Sequence, residues 1–451
     1  MKSLLSRTFD IRAGEIRLVV ILSLLLLGNT VARQMTGIVG ISDLINTAGP
    51  NQTLVVNLIN GVMIFVTAML ASLIIDRFHR VELLKWTTFG FAMVFVLTDI
   101  IYLLHATTEV VAAIVYLMSQ QQWLLFPMFF WVLANDLFEV AQAKRLIPVI
   151  GSWSFIGKML GIGVTLLPAL FFRLGWLDTN ELTLDMVIRL NIFFYLLAFL
   201  LISIGLRKVN IRAVDAEDES VKESLGEGWD FVRKVDSYRF LLLAIAAVAV
   251  CDVIVEYRFF VVAKSTISEP VAYKEFYSLY LLGAAILSFS IQGFVTGRLI
   301  QRIQLKNTFL VQPILALISS FAMLLSPGMI STTLNSLLLK IGRNTVDEAT
   351  RKAYQGFVPE ERRGRVALFT DNFAPAIGML IAALLGILVI YICNAIGYAN
   401  SFYVYLGLTV IFAWIAVWFI MKMRASYDDS LFNWRLRRRK RGGDLLKDIE
   451  F

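Results

Sequence analysis

Twelve long apolar runs, separated by short and mostly polar connections, leave this chain few folds to choose from. They cover residues 16–45, 54–75, 83–104, 110–138, 147–172 and 187–206 in the first half. In the second half they cover 240–262, 276–300, 308–325, 329–341, 366–392 and 402–421. Crossing the hydrocarbon core of a bilayer takes about 20 apolar residues of helix. Within that core every backbone N–H and C=O must be satisfied inside the segment, so each run predicts a membrane-spanning helix. The tenth run is short and polar. The first is too long, and too directly followed by further spans, to read as a cleaved signal peptide. Composition agrees, with 58% hydrophobic and 17% charged residues, against about 45–50% apolar and about 25% charged in a soluble domain. A soluble globular enzyme is therefore excluded. Cys251 and Cys393 lie in or beside apolar runs, and His79 and His105 lie in connections. That pattern offers neither a disulfide framework nor a metal site, and no cofactor is expected. No nucleophile–base set is present to predict an enzyme.

Twelve spans put both termini on one side, and the basic residues say which. Counting Arg17, Arg189 and Arg298, at the ends of their runs, with the adjoining connections gives 33 Lys and Arg inside against four outside, Arg173, Arg189, Lys264 and Lys274, and five within spans. The positive-inside rule then predicts an integral membrane protein with both termini in the cytoplasm. The net charge of +8 sits between apolar runs and so points to membrane orientation, not to nucleic acid. The predicted organisation is a six-helix half over 1–206, a charged cytoplasmic linker over 207–239, a second six-helix half over 240–421 and a basic tail over 422–451. Arg435, Arg437, Arg438, Arg439, Lys440 and Arg441 crowd that tail. They predict a solvated positive-inside anchor, with anionic lipid headgroups as an alternative partner. Gly442-Gly443 leaves room for a cytosolic domain following Phe451.

The end of the second span reads Ser72-Leu-Ile-Ile-Asp76-Arg77-Phe-His-Arg80, and the end of the eighth reads Gly297-Arg-Leu-Ile-Gln301-Arg302-Ile-Gln-Leu-Lys306. Each carries a small residue, then an acid or amide four positions on, then arginine and a further basic residue. The pair resembles the loop motif of the major facilitator superfamily, Gly-x-Leu-x-Asp-Arg-x-Gly-Arg. The two copies lie 225 residues apart, and the same offset sets Arg33 opposite Arg258. Six spans per repeat preserve orientation, so the halves are predicted to be parallel copies with a substrate site between them near mid-membrane. Asp76, Arg77, Arg80 and Arg302 are the expected gate at the cytoplasmic ends, and Asp371 is a candidate gate partner.

Charges inside apolar runs cost at least about 2.5–3.5 kcal/mol on insertion scales, so they face a bundle interior or a wet cavity. Asn29 and Arg33 lie in the first span, Lys158 in the fifth, Asp252, Glu256 and Arg258 in the seventh, and Lys340 in the tenth with Arg343 just past its end. All eight are candidate substrate-binding residues, each with interhelical pairing as the plainer alternative. Asp252 and Glu256 share a helix face, while Arg258 is turned about 200° from Glu256. A cavity with excess arginine suits phosphate or carboxylate, which guanidinium grips with two parallel hydrogen bonds. Gln121 and Gln122, beside Trp123, read either as cavity lining or as amide glue between helices.

The segment Trp131-Val-Leu-Ala-Asn135-Asp136-Leu-Phe-Glu139-Val-Ala-Gln142-Ala-Lys144-Arg145-Leu-Ile-Pro148 resembles the fourth-to-fifth helix region of the ATP/ADP translocase family of plastids and bacteria. Asn29-Thr30-Val-Ala-Arg33 is similar to that family's first-helix stretch, and Asp252-Val-Ile-Val-Glu256-Tyr to its seventh-helix stretch. Gln142 stands where the family usually has an acid, and Pro375 where it has a lysine. The resemblance implies a nucleotide carrier, an ATP:ADP-type exchanger or uptake system in a bacterial inner or plasma membrane, with Glu256 at the family's membrane glutamate. The residues read on their own imply a polar cavity with basic charge, and together with the two resemblances they predict an all-α, twelve-span transporter of a small anionic solute working by alternating access. They leave open another organic anion, an ion-coupled solute with Asp252 or Glu256 as the coupling carboxylate, or a non-transporting sensing or anchoring module.

Overall fold

The computed structural model describes residues 12, 14–75, 78–175, 181–207, 229, 232–358 and 360–447. Asp76 and Arg77, and most of the predicted linker, lie outside the described residues. Every regular element among those described is a helix. The first half holds α1 (Ile16–Ala48), α2 (Gln52–Ile74), α3 (Arg80–Leu103), α4 (Thr108–Leu137), α5 (Val140–Arg173) and α6 (Leu184–Gly205). The second half opens with α7 (Asp236–Thr266) and α8 (Pro270–Ile291), followed by the short α9 (Gly297–Ile303) and α10 (Leu305–Thr308). It continues with α11 (Val311–Leu325), α12 (Met329–Gly342), α13 (Glu348–Gln355), α14 (Glu360–Leu368), α15 (Ala374–Ala395) and α16 (Ser401–Lys447).

Local chemistry explains several boundaries. At the start of α5 the Glu139 side chain accepts from the first turn while the Glu139 N–H donates to Gln142 Oε1 at 3.2 Å. This reciprocal capping satisfies two otherwise orphaned donors. Gly175 and Gly397 follow the ends of α5 and α15 at φ of 71° and 70°, the left-handed geometry that closes a helix and that only glycine adopts without strain. Pro375 follows directly on the π-helical turn Phe369–Phe373 that joins α14 to α15, and with no N–H of its own it leaves a gap in the ladder of that continuous helix.

By length and composition, eleven helices among the described residues can cross a membrane. The tenth predicted run is not one of them. It is α12, and its helix continues through a π-helical turn at Arg343–Asp347 into α13. Lys340, Arg343, Asp347 and Arg351 fall along that stretch, which makes it too polar for a lipid-facing span. Two further π-helical turns, Gln292–Thr296 and Phe369–Phe373, join α8 to α9 and α14 to α15. Such turns are rare and gather at functional positions.

The chain divides into two compact units, the first comprising 1–56, 66–218 and 263–285 and the second 57–65, 219–262 and 286–451. In the first, α1 is central and packs on α4, α5 and α6. It reaches α5 closely because a Cβ on Gly157 would lie 2.8 Å from the Leu27 carbonyl oxygen, and one on Gly161 2.9 Å from that of Val31. Glycines four apart lie on one face of a helix, which lets two backbones approach. In the second unit, α11 packs on α12 and α16, and an aromatic cluster of Tyr238, Phe309, Tyr354 and Tyr427 is buried. The Tyr238 hydroxyl donates to the Tyr354 carbonyl at 2.9 Å, and the Tyr354 hydroxyl bonds Ser237 Oγ at 2.7 Å.

Candidate functional site

Within the first unit a seam of uncharged polar groups runs between α1, α4 and α6. The Tyr195 hydroxyl donates to Asn29 Oδ1 at 2.7 Å, Gln122 Nε2 donates to Asn191 Oδ1 at 2.8 Å, and Asn191 Nδ2 donates to the Val187 carbonyl at 2.8 Å. Each member is buried, and buried polar groups persist where they find partners. Arg33, one turn along α1 from Asn29, is half-buried near the Tyr195 phenol. Among the described residues no carboxylate pairs with it. Lys158 is half-buried on α5, next to the close-packed Gly157.

The ends of the first unit that the sequence assigns to the cytoplasm carry ion pairs. Arg80 Nε lies 3.3 Å from Asp136 Oδ2. Arg145 Nη2 and Gln142 Nε2 both donate to Glu15 Oε1, at 2.8 and 3.1 Å. The hydrogen bond from Arg145 holds the Glu15 carboxyl below the usual carboxylate range. This pairing accounts for Gln142 on physical grounds, because the acid that faces Arg145 comes from residue 15. A second carboxylate at 142 would sit against the first.

The second unit holds a different arrangement. Lys340 Nζ lies 2.9 Å from Glu256 Oε1, and Arg343 Nη1 3.2 Å from Asp252 Oδ2. Gln312 Nε2 donates to Asp252 Oδ1 at 3.4 Å and to the Leu339 carbonyl at 3.1 Å. One turn beyond the π-helical turn, Arg351 Nε pairs with Asp347 Oδ2 at 3.0 Å and its Nη1 with Asp371 Oδ1 at 3.6 Å. Lys352 Nζ reaches Asp371 Oδ2 at 2.6 Å. Four carboxylates thus face four cations along α7, α12, α13 and the turn before α15. A cleft at this ladder is lined by Asp252, Arg343, Asp347 and Arg351 together with Phe309, Pro313, Pro375 and Ile420. The sequence predicts a basic excess; in the second unit the described ladder is neutral, because Asp347 and Asp371 add to Asp252 and Glu256.

Asp252, Glu256, Lys340 and Arg343 are therefore brought together, and Asn29 and Arg33 lie together on α1. Arg258 stands apart. Its Nη1 donates to the Tyr405 hydroxyl at 3.4 Å, its Nη2 to the Pro327 carbonyl at 3.3 Å, and its guanidinium covers the Phe402 ring at 4.3 Å. Arg302 is exposed at the end of α9. Asp371 pairs with the helical Arg351 and Lys352 and accepts from Gln355 at 3.1 Å. Sequence reasoning did not single out Tyr195, Asn191, Gln312, Asp347 or Arg351. Polar residues recurring four apart, as in Asp347 and Arg351, were the available signal.

No protein-family model matches the chain, and no curated protein matches it in sequence. Solved structures do match. Nucleoside transporter NupG aligns at 12% identity over 91% of this chain and 100% of its own, with a TM-score of 0.64. A bacterial homologue of the human lysosomal transporter Spinster, inward-facing and unoccupied, aligns at 13% over 93% and 99%, TM-score 0.65. A bacterial homologue of the iron transporter ferroportin, also inward-facing, aligns at 15% over 91% and 100%, TM-score 0.61. The chain has this fold: an all-α integral membrane architecture of the major facilitator type, with eleven helices among the described residues long and apolar enough to span.

Proposed function

We propose that the chain is a membrane carrier for a small organic anion, a nucleotide first among them, and that it works by alternating access with both termini in the cytoplasm. The observation that carries this reading is Arg33. A guanidinium at mid-helix is expensive to bury, and among the described residues no carboxylate offsets this one. A visiting phosphate or carboxylate is the natural counter-ion, and it binds more strongly in a low-dielectric setting than in water. Asn29, Gln122, Asn191 and Tyr195 hold that region of α1 in place through their mutual hydrogen bonds. Lys158 is proposed as a second cation toward the same anion, and Arg258 as a buried anchor of its helix. Arg80, Arg302 and Asp371, with Asp76 and Arg77, are proposed to act at the cytoplasmic gate. That the structural neighbour NupG is a nucleoside transporter supports a small solute of related chemistry.

Calorimetric titration of purified protein with ATP, ADP, inorganic phosphate and a nucleoside tests the reading. ATP or ADP is expected to bind. Arg33→Ala should weaken that binding by about 1.5–3 kcal/mol, the contribution of a hydrogen bond to a charged group, or roughly ten- to a hundredfold. Arg33→Lys should restore only part, because an ammonium lacks the planar fork. Absence of binding by every anion removes the anion reading, and equal binding by all three proteins makes Arg33 structural.

A second reading has its own support. The paired Asp252–Arg343 and Glu256–Lys340 resemble a coupling relay that trades partners when a proton or cation arrives. Ion-dependent uptake abolished by Asp252→Asn, with anion binding retained, would favour it.

A further inference from the structure

The four basic residues on the side predicted to face outward are exceptions to a strong charge bias, and each has a partner. Arg189 pairs with Asp99 at 3.6 Å and with Asp185 at 3.4 Å. The other three converge on one patch of the first unit, where residues 263–285 pack with α1 and α5. Arg173, at the end of α5, grips both carboxylate oxygens of Glu275 at 2.9 and 2.8 Å. Lys264 donates to Asn46 Oδ1 at 2.7 Å, and Asn46 Nδ2 donates to the Pro270 carbonyl at 3.3 Å. Lys274 is the centre of the patch. Its side chain is 4% exposed, and its Nζ lies 2.9 Å from Asp43 Oδ1 and 2.8 Å from Glu181 Oε2. One layer deeper, Thr165 Oγ1 donates to Ser278 Oγ at 3.0 Å, both residues buried.

We propose that Lys274, clamped between Asp43 and Glu181, is the latch that shuts the outer end of the transport path, and that the path opens outward only when this clamp comes apart. The proposal rests on the alternating-access reading above but not on the identity of the solute. Topologically the patch joins chain from the second sequence repeat, the α7–α8 turn, to α1 and α5 of the first, so releasing it frees the segment that alternating access has to move. Its charges balance, three cations against Asp43, Glu181 and Glu275, so closing it leaves no net charge out of water. The shared cation also makes the latch redundant. Removing one carboxylate leaves Lys274 paired with the other, whereas removing both leaves the buried ammonium with the neutral Leu182 carbonyl at 3.2 Å and no counter-charge, which is far more costly than losing one partner. Hydration of that ammonium favours the open state, so the two substitutions should act far more than additively.

The test uses full-length protein with a single cysteine, Ser278→Cys, the buried Cys251 and Cys393 being replaced by alanine. A membrane-impermeant maleimide is added to the outer face of sealed, right-side-out vesicles. The parent should label slowly, Asp43→Asn and Glu181→Gln should each raise the rate a few-fold, and the pair together should raise it more than the product of the singles. A double variant that folds, as judged by its melting transition, and labels at the parent rate overturns the latch. If that double variant does not fold, the exchange Asp43→Lys with Lys274→Asp supplies the decision. Slower labelling than Asp43→Lys alone upholds the pairing, and equal labelling overturns it. Labelling of the parent from the inner face only would overturn the outward assignment on which the proposal stands, while failure of nucleotides to bind would leave these rates unaffected.

Discussion

Charge among the helices is handled differently in the two compact units. In the first, Arg33 lies one turn from Asn29 and near the Tyr195 phenol, and among the described residues no carboxylate pairs with it. In the second, Asp252, Glu256, Asp347 and Asp371 each face a cation within 4 Å. The backbones differ in the same sense. All three π-helical turns among the described residues fall in the second unit, at Gln292–Thr296, Arg343–Asp347 and Phe369–Phe373. The first unit is instead drawn tight by glycines under α1. The paired ladder lies beside π-helical turns and has partners to exchange, whereas the cation beside the amide-and-phenol seam has no carboxylate partner among the described residues. The contrast separates two kinds of charge that look alike as letters in the sequence.

Breaking the ladder should have the largest effect. Arg343→Ala leaves Asp252, whose side chain is 9% exposed, with Gln312 as its remaining partner. Removing one member of a buried pair typically costs about 3–5 kcal/mol; with the Arg343 side chain 41% exposed the loss should fall at the low end of that range and still lower the melting transition in detergent. Adding Asp252→Asn removes the stranded charge and should recover most of the loss. If the double variant is no more stable than Arg343→Ala, this pair is not the source of the second unit's order.

A smaller effect is expected in the first unit. Gly161→Ala places a methyl group 2.7 Å from Gln34 Cβ and 2.9 Å from the Val31 carbonyl oxygen, with two backbones that have no room to part. Overpacking of this kind costs about 1–3 kcal/mol. Gly163→Ala has open space around the added methyl and should be neutral or slightly stabilising, since alanine favours helix over glycine. Equal melting temperatures for the two variants would mean that α1 and α5 are not held by close approach.

Much of the fold is legible because apolar length and charge placement are properties of a segment by itself. The boundaries of α1 to α6 follow the apolar runs, and the 225-residue repeat carries α3, Arg80–Leu103, onto 305–328, where α10 and α11 lie. What the sequence hid is pairing across distance. Lys340 and Arg343 read as candidate substrate-binding residues or as members of some interhelical pair, and nothing in the sequence names their partners as Glu256 and Asp252, 84 and 91 residues away. Pro375 read as a lost lysine, and it lines the cleft beside Asp252 and Arg343. Gln142 read as a lost acid, though Glu15, 127 residues earlier, supplies the carboxylate. Each depends on which helices become neighbours, and periodicity within one helix carries no information about that.

The smallest expected effect concerns that carboxylate and sharpens the comparison at the end of the first unit that the sequence assigns to the cytoplasm. Glu15 Oε1 accepts from Arg145 Nη2 at 2.8 Å and from Gln142 Nε2 at 3.1 Å, and the pairing lowers the carboxyl's pKa in the folded state. A group whose pKa is lower folded than unfolded stabilises the fold fully above its unfolded value, which for glutamate is about 4.3. That contribution is lost as pH falls through the folded value, because protonation then favours neither state. For an ion pair at the membrane edge it should amount to no more than about 1 kcal/mol. Melting curves of wild type and Glu15→Gln from pH 7 down to pH 3 should therefore differ by a small, constant amount above about pH 5 and converge below pH 4. Arg145→Gln should reproduce the wild-type-to-variant gap and its disappearance. A gap that widens as pH falls would mean that Glu15 is held as the neutral acid, and the role assigned to Arg145 would be wrong.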